Sequence, residues 1–342
     1  MSHASALALH PEETWQEQLQ NALRSPDELA EFLGLSPAEL GYSGEADDSF
    51  PLLVPRSFAA RMRRGDATDP LLRQVLATPE ETLERADYGR DPVAEVSRYG
   101  GSPGILQKYS GRALMIVTGQ CAVNCRYCFR RHYPYADNAQ SSADRLLSVD
   151  ALLDDLSLRE LILSGGDPLL LPDKQISAIA ERIQRRQRGV TLRIHTRLPV
   201  VIPDRVTETL TEALTKPAMP VVIVLHSNHP NEINNETAAA IGRLKAAGIT
   251  VLNQAVLLRG VNDTVESLAA LSDRLFAAGA MPYYLHLLDK VAGAGHFDVP
   301  EDTARNLVGE LASIRPGYLV PKLAVEVPGA SSKRELAPSY SS

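Results

Sequence analysis

Cysteine is scarce: the 342 residues hold three, all between positions 121 and 128. A secreted scaffold built on disulfides would carry an even, dispersed set, so the trio reads as a ligand cluster in a reducing compartment. Positive charge is also short. The 35 Lys and Arg against 42 Asp and Glu leave a formal net charge of −7, which argues against a surface that coats nucleic acid. No apolar run reaches the roughly 18 residues that a membrane span needs. The opening MSHASALALHPEETW has no basic leader and only a short apolar stretch, so no secretory signal is expected and the cytoplasm is the expected location. What remains, 44% apolar and 23% charged residues, is a globular balance with length for one large domain plus an accessory segment, or for two domains.

The first hundred residues read as helices and loops. Ser25-Pro26-Asp27-Glu28 and Ser36-Pro37-Ala38-Glu39 each pair an N-cap serine with proline in the first helical position. Further helices are expected from Arg56 to Arg64 and over DPLLRQVL, and no chemical motif stands out before the Gly-rich joint at 99–103. From Ala113 short apolar runs alternate with amphipathic stretches. Strands are expected at 113–118, 160–164, 190–195, 221–226, 251–258 and 282–288, with helices near 148–157, 175–187, 204–215, 235–247, 264–278 and 302–314. Such alternation predicts βα units and a parallel sheet: an α/β fold, a partial (β/α)6 TIM-type barrel, with an open doubly wound sheet as the alternative. Leu323-Ala324-Val325 reads as one more strand. The expected organisation is a helical accessory region over 1–98, the barrel over 99–315, and a C-terminal segment over 316–342. Cys121, Gly165-Gly166-Asp167, His195, His226, Gln254 and Asp289 all fall at or just past the ends of the strand candidates, the face where parallel α/β folds build active sites.

Cys121-x3-Cys125-x2-Cys128 follows the first of those strands. Three thiolates on one loop can hold three irons of a [4Fe–4S] cube and leave the fourth iron open to a small molecule. The competing reading is a zinc site with His132 as fourth ligand, although structural zinc usually draws ligand pairs from separated segments; inert buried cysteines are a third. This spacing resembles that of the radical S-adenosylmethionine superfamily. The resemblance implies that the methionine amino and carboxylate groups chelate the open iron, and that one electron from the cluster breaks the sulfonium bond. Ser164-Gly165-Gly166-Asp167 ends the second strand, where the superfamily carries a glycine pair and an acid near the methionine amino group; His226 matches a position near S-adenosylmethionine.

CRYCFRR, LILSGGDPL, HSNHPNEI, NQAVLLRGVND, YYLHLLDKVAGAGHF and PGASSK, taken together, resemble the lysine 2,3-aminomutase family from about Arg98 to Lys333. The length and RSFAARMRRGD, ending at Asp66, resemble its bacterial members that supply β-lysine for modifying translation elongation factor P. The resemblance implies an isomerase that also needs pyridoxal phosphate, with Lys333 as the catalytic lysine that binds it. Ala330-Ser331-Ser332 replaces the family's glycine run, and Lys322 and Lys290 are rival lysines. Lys108, Tyr109, Arg112 and Gln254 match cofactor contacts; Lys108 keeps the charge of a family arginine without its fork. Arg130 matches the residue that pairs with the substrate carboxylate. Asp289 and Glu326 match the two acids that face the distant ammonium, Glu326 being longer than the aspartate of clostridial-type members.

The implied reaction converts L-lysine to β-lysine. Its implied partners are an electron donor such as flavodoxin or ferredoxin and, by function, an elongation factor P lysyl ligase; neither nucleic acid nor a membrane is expected. Longer family members bind zinc between subunits through C-terminal cysteines that this chain lacks, so no zinc is expected and a homodimer replaces their tetramer as the expected assembly. A mutase for another amino acid, a radical enzyme without pyridoxal phosphate and a non-enzymatic iron–sulfur or zinc module are the competing functions. The first would place a cation where Asp289 and Glu326 stand.

Overall fold

The computed structural model describes residues 13–95, 104–107, 109–186 and 189–340. Lys108 and the glycine joint at 99–103 lie outside the described residues.

The apolar runs of the second half become one sheet whose strands lie side by side in chain order: β1 (Ile105–Leu106), β2 (Arg112–Thr118), β3 (Glu160–Gly165), β4 (Thr191–Thr196), β5 (Val221–His226), β6 (Thr250–Val256), β7 (Met281–His286), β8 (Lys322–Val325) and β9 (Arg334–Glu335). From β2 to β8 every neighbouring pair is parallel. β1 and β9 pair antiparallel at the two edges, so the barrel is partial. All six expected strands are present, and the additional one at Leu323 joins them as a seventh parallel strand.

Burial alternates along β4 and β6, as the inward and outward faces of a barrel strand do. On β4, Leu192 and Ile194 have no exposed surface, whereas Arg193 and His195 are half-buried. On β6, Val251, Asn253 and Ala255 are buried while Leu252, Gln254 and Val256 are not fully so. The buried set packs under the helices and the other set lines the barrel interior. Six longer helices cover the outside: Ser142–Asp154, Asp173–Arg185, Glu208–Thr215, Asn235–Ala246, Val265–Ala278 and Glu301–Ile314. In the second of them Ile176, Ile179, Ala180 and Ile183 recur at helical spacing and are the residues it buries. Ser141, Thr207, Asn234 and Thr264 start four of them by accepting a backbone N–H from inside the first turn. The first helix therefore begins at Ser142, six residues ahead of the expectation drawn from its apolar positions alone. Among the described residues no helix is long and apolar enough to cross a membrane.

The N-terminal helices form where Ser25 and Ser36 cap them, over Pro26–Leu33 and Pro37–Leu40. The expected helix after Arg56 is shorter, spanning Arg56–Ala59. One apolar core runs from Leu23 and Phe58 through the barrel to Leu323. The region packs against loops that follow β4 and β5: Ser57 Oγ donates to the Val201 carbonyl at 2.6 Å, and Arg61 donates to the Glu232 carbonyl at 2.7 Å. It thus reaches the end of the barrel where the cysteine loop lies.

Candidate active site

The cysteine loop leaves β2 and is stitched by its backbone to the N-terminal region. Asn124 N donates to the Leu53 carbonyl at 3.1 Å and Arg126 N to the Gln74 carbonyl at 2.9 Å. The arginines of CRYCFRR then divide their work. Arg126, with no exposed surface, meets both oxygens of Glu81 at 2.8 and 2.7 Å, and Arg131 reaches the same carboxylate at 2.9 Å. The two guanidiniums also lie over the Phe50 ring, at 5.3 and 5.1 Å from its centroid. Arg130 turns the other way. Its Nε and Nη2 hold Glu95 at 2.7 and 2.9 Å, and its Nη1 donates to Ser164 Oγ at 2.9 Å.

The three thiols themselves are neither fully buried nor freely exposed. Desolvation, and then the neighbouring thiols, push Cys121 well above the ordinary thiol range; desolvation followed by Cys125 pushes Cys128 up to about 11. Beneath Cys125 lies a buried polar network. Arg197 Nη1 donates to Cys125 Sγ and to Tyr127 Oη, both at 2.8 Å, while its Nη2 reaches Gln74 Oε1 at 2.7 Å and Glu232 Oε2 at 3.0 Å. Asn228 Nδ2 closes the network onto Tyr127 and Gln74 at 2.7 and 2.9 Å. His226 Nε2 stands 3.0 Å from Tyr127 Oη. Burial, and then Arg197, lower His226 to about 3, so this imidazole is neutral at physiological pH.

The end of β3 packs directly against the start of the cysteine loop. A Cβ on Gly166 would sit 2.0 Å from the Gln120 carbonyl oxygen, and one on Gly165, whose φ is +119°, 2.4 Å from that of Thr118. Only glycine allows this contact, over which Gly166 N and Asp167 N donate to the Thr118 and Gln120 carbonyls at 2.8 and 2.7 Å. Asp167 turns its carboxylate toward β4. It accepts from Thr196 Oγ1 at 2.6 Å and from the backbone N–H groups of Leu169, Arg197 and Leu198 at 3.0, 2.8 and 2.9 Å. Desolvation raises its pKa and these hydrogen bonds oppose the rise. In this structure the side chain thus orients Arg197 by holding the backbone on either side of it.

Of the other expected residues, Tyr109, Glu326 and Lys333 meet at the C-terminal segment. Lys333 immediately precedes β9, and its ammonium lies 3.3 Å from Glu326 Oε2 and 5.5 Å from the Tyr284 ring centroid. Tyr109 donates to Glu326 Oε1 at 2.7 Å. Arg112 begins β2, half-exposed beside Tyr109, with its guanidinium carbon 5.9 Å from that ring. Gln254 stands in register with Tyr284 on the next strand, and Asp289 lies just past β7. The rival lysines are occupied outside: Lys322 pairs with exposed Glu335 at 2.8 Å, and Lys290 with exposed Asp87. His195 and His286 are held neutral by desolvation, then by Arg193 in the case of His195 and by Lys333 in the case of His286. His195 Nε2 is buried without a hydrogen-bond partner.

The Radical SAM superfamily profile matches residues 115–271. An L-lysine 2,3-aminomutase from Escherichia coli (strain K12) is 44% identical over 98% of this chain and 98% of its own length. The chain belongs to the L-lysine 2,3-aminomutase family. The aminomutase of that name from Buchnera aphidicola subsp. Baizongia pistaciae is 42% identical over 94% of both chains. That from Clostridium subterminale is 31% identical over 95% of this chain and 78% of its own.

Lysine 2,3-aminomutases use a [4Fe–4S] cluster, S-adenosylmethionine and pyridoxal phosphate, and the donor sets here suit all three. Three thiols on one loop suit three irons, and Cys121 and Cys128, whose thiols burial pushes up, would release their protons to the metal. His132, the fourth ligand of the zinc reading, has its Nε2 beside the Ala292 carbonyl at 3.3 Å. The orphaned His195 nitrogen, His286 and the Lys333 ammonium act on one another electrostatically and so share one interior, as a polar organic cofactor requires. Reading the motifs in isolation missed Gln74, Glu81, Glu95, Arg197 and Glu232. Of these only Glu232 stands inside a motif matched to the family, HSNHPNEI, and that segment carried no assigned role for it.

Proposed function

We propose that this isomerase converts L-lysine to β-lysine by shifting the α-amino group to the neighbouring carbon. The observation that carries the reading is 44% identity to an L-lysine 2,3-aminomutase across essentially the whole of both chains. When bound, the cluster and S-adenosylmethionine would supply radical hydrogen abstraction, and pyridoxal phosphate would supply imine chemistry at the substrate nitrogen. The chain's own residues supply position and exclusion of water. Cys121, Cys125 and Cys128 hold the cluster, and Lys333 holds pyridoxal phosphate with Tyr109, Arg112, Lys108 and Gln254 around it. The turn after β3 and His226 lie at the S-adenosylmethionine side. Arg130, held by Glu95 through Nε and Nη2, takes the substrate carboxylate on its remaining Nη hydrogens, and Asp289 and Glu326 take its distant ammonium. The ion pair between Glu326 and Lys333 supports the last assignment, because a carboxylate that already receives one alkylammonium can receive another.

The product passes to a ligase that modifies translation elongation factor P, and a small one-electron carrier such as flavodoxin or ferredoxin feeds the cluster. The resemblance of RSFAARMRRGD and the chain length support this setting.

The test is anaerobic reconstitution with iron, sulfide and pyridoxal phosphate, followed by reductant, S-adenosylmethionine and L-lysine, with products separated and weighed. β-Lysine is expected, and none from Cys125→Ala. Release of 5′-deoxyadenosine without β-lysine would keep the radical chemistry and refute the substrate. Arg130→Lys is expected to raise KM for lysine about tenfold or more, since it loses the planar fork and a charge-assisted hydrogen bond worth ~1.5–3 kcal/mol. An unchanged KM would remove Arg130 from carboxylate recognition.

A further inference from the structure

The network under Cys125 joins four segments that are far apart in the chain: Gln74, the cysteine loop, the end of β4 and the loop after β5. At its centre is a guanidinium that is 6% exposed and donates directly to a sulfur. Glu232, with no exposed surface, balances that charge from the side away from the thiol. Thr196, Asp167 and Gln74 fix where the arginine can point. A guanidinium this thoroughly held is built to keep one N–H on one sulfur.

We infer that Arg197 is a positioning residue that raises the reduction potential of the cluster held by Cys121, Cys125 and Cys128, and that Glu232 moderates it. The inference rests on the assignment of the cluster to those cysteines. Reduction adds one electron, from an external one-electron donor, to the cluster and makes it more negative. A hydrogen bond and a positive charge at a ligating sulfur favour that state, and a nearby carboxylate opposes it. The arginine touches the sulfur and the carboxylate does not, so the net effect is a more positive potential. S-Adenosylmethionine can then receive an electron from a cluster that its donor protein is able to reduce.

The experiment is a redox titration of reconstituted enzyme with dithionite and mediators, without S-adenosylmethionine or lysine, following the paramagnetic signal of the reduced cluster. Iron and sulfide are counted for every variant. Arg197→Gln is expected to lower the reduced-to-oxidised ratio at a fixed potential about tenfold, a shift of about 59 mV for one electron. Arg197→Lys, which keeps the charge and loses the fork, is expected to move less in the same direction. Glu232→Gln is expected to move the midpoint the opposite way. Tyr127→Phe, which removes a neutral hydroxyl that bonds both Arg197 and the Cys125 sulfur, is expected to move it in the same direction as Arg197→Gln and by less. A purely structural role would lower cluster content in the variants without opposite shifts of potential. Equal or same-direction shifts for Arg197→Gln and Glu232→Gln would overturn the inference. If Arg197→Gln retains no cluster, the lysine and Glu232 variants decide it. If the unaltered enzyme binds no [4Fe–4S] cluster, the cysteine assignment fails and the inference falls with it.

Discussion

Lys333→Ala is expected to bind no pyridoxal phosphate covalently and to form β-lysine on the order of 10³-fold or more slowly, the scale on which loss of a covalent participant is felt. The candidate lysines differ in where they lie. Lys322 and Lys290 are more than half exposed and each is neutralised by a surface carboxylate. Lys333 is turned to the barrel, over Tyr284 and against Glu326, which itself is anchored by Tyr109. An amine that must bind an aldehyde and later yield it to a substrate amine needs a partner that stabilises its charged form and can pass to the incoming ammonium. Glu326 offers that exchange. The lysine sits in a turn before a two-residue strand rather than in the core, so its truncation should leave folding and iron content unchanged. Borohydride reduction followed by peptide mass mapping reads the result without any turnover: the pyridoxyl mass belongs on Lys333. A label on Lys322 or Lys290, or an active Lys333→Ala, would refute the assignment. Lys322→Ala and Lys290→Ala are expected to stay within about twofold of the parent, as surface changes generally do.

The barrel was legible because each strand is a compact apolar run between helices with recognisable starts; residues 221–226 coincide with β5. Cys121, Cys125 and Cys128 were legible for a related reason, since their chemistry is carried by local spacing. The partners of the loop were not. Gln74 and Glu81 are unremarkable polar residues in a helical stretch, and acquire meaning only when folding brings Arg197 and Arg126 onto them. Glu95 lies 35 positions from the arginine whose fork it fills. Asp167 is the instructive case. Its place after a glycine pair suggested a group facing a ligand's ammonium, yet in this structure its carboxylate takes three backbone N–H groups and a threonine hydroxyl. Linear spacing locates a side chain on a loop; it does not say which way a carboxylate turns when backbone donors lie on one side.

The helical N-terminal region, which showed no motif of its own, carries the second large effect. Glu81→Ala is expected to destabilise the apoenzyme by about 3–5 kcal/mol, the usual cost of removing one partner from a buried ion pair. Glu81 is buried with Arg126 and Arg131, whose side chains are 0% and 2% exposed, and its removal strands both guanidiniums. Desolvation already lowers the pKa of Arg131 against the pull of Glu81, so without Glu81 its charge is more costly still. Arg126→Met alone should cost less, because Arg131 still pairs with the carboxylate. The double variant should recover only part of the loss, because Arg131 stays buried and unpaired. Urea midpoints of the four apoproteins close this cycle, and additive costs would show that the two residues do not interact. The same variants should retain little iron after reconstitution, since Arg126 and Arg131 flank Cys128 and tie its loop to the N-terminal region. If Glu81→Ala instead holds a full cluster at the parent's stability, the loop is kept in place by the barrel alone and the N-terminal helices are not part of the active-site framework.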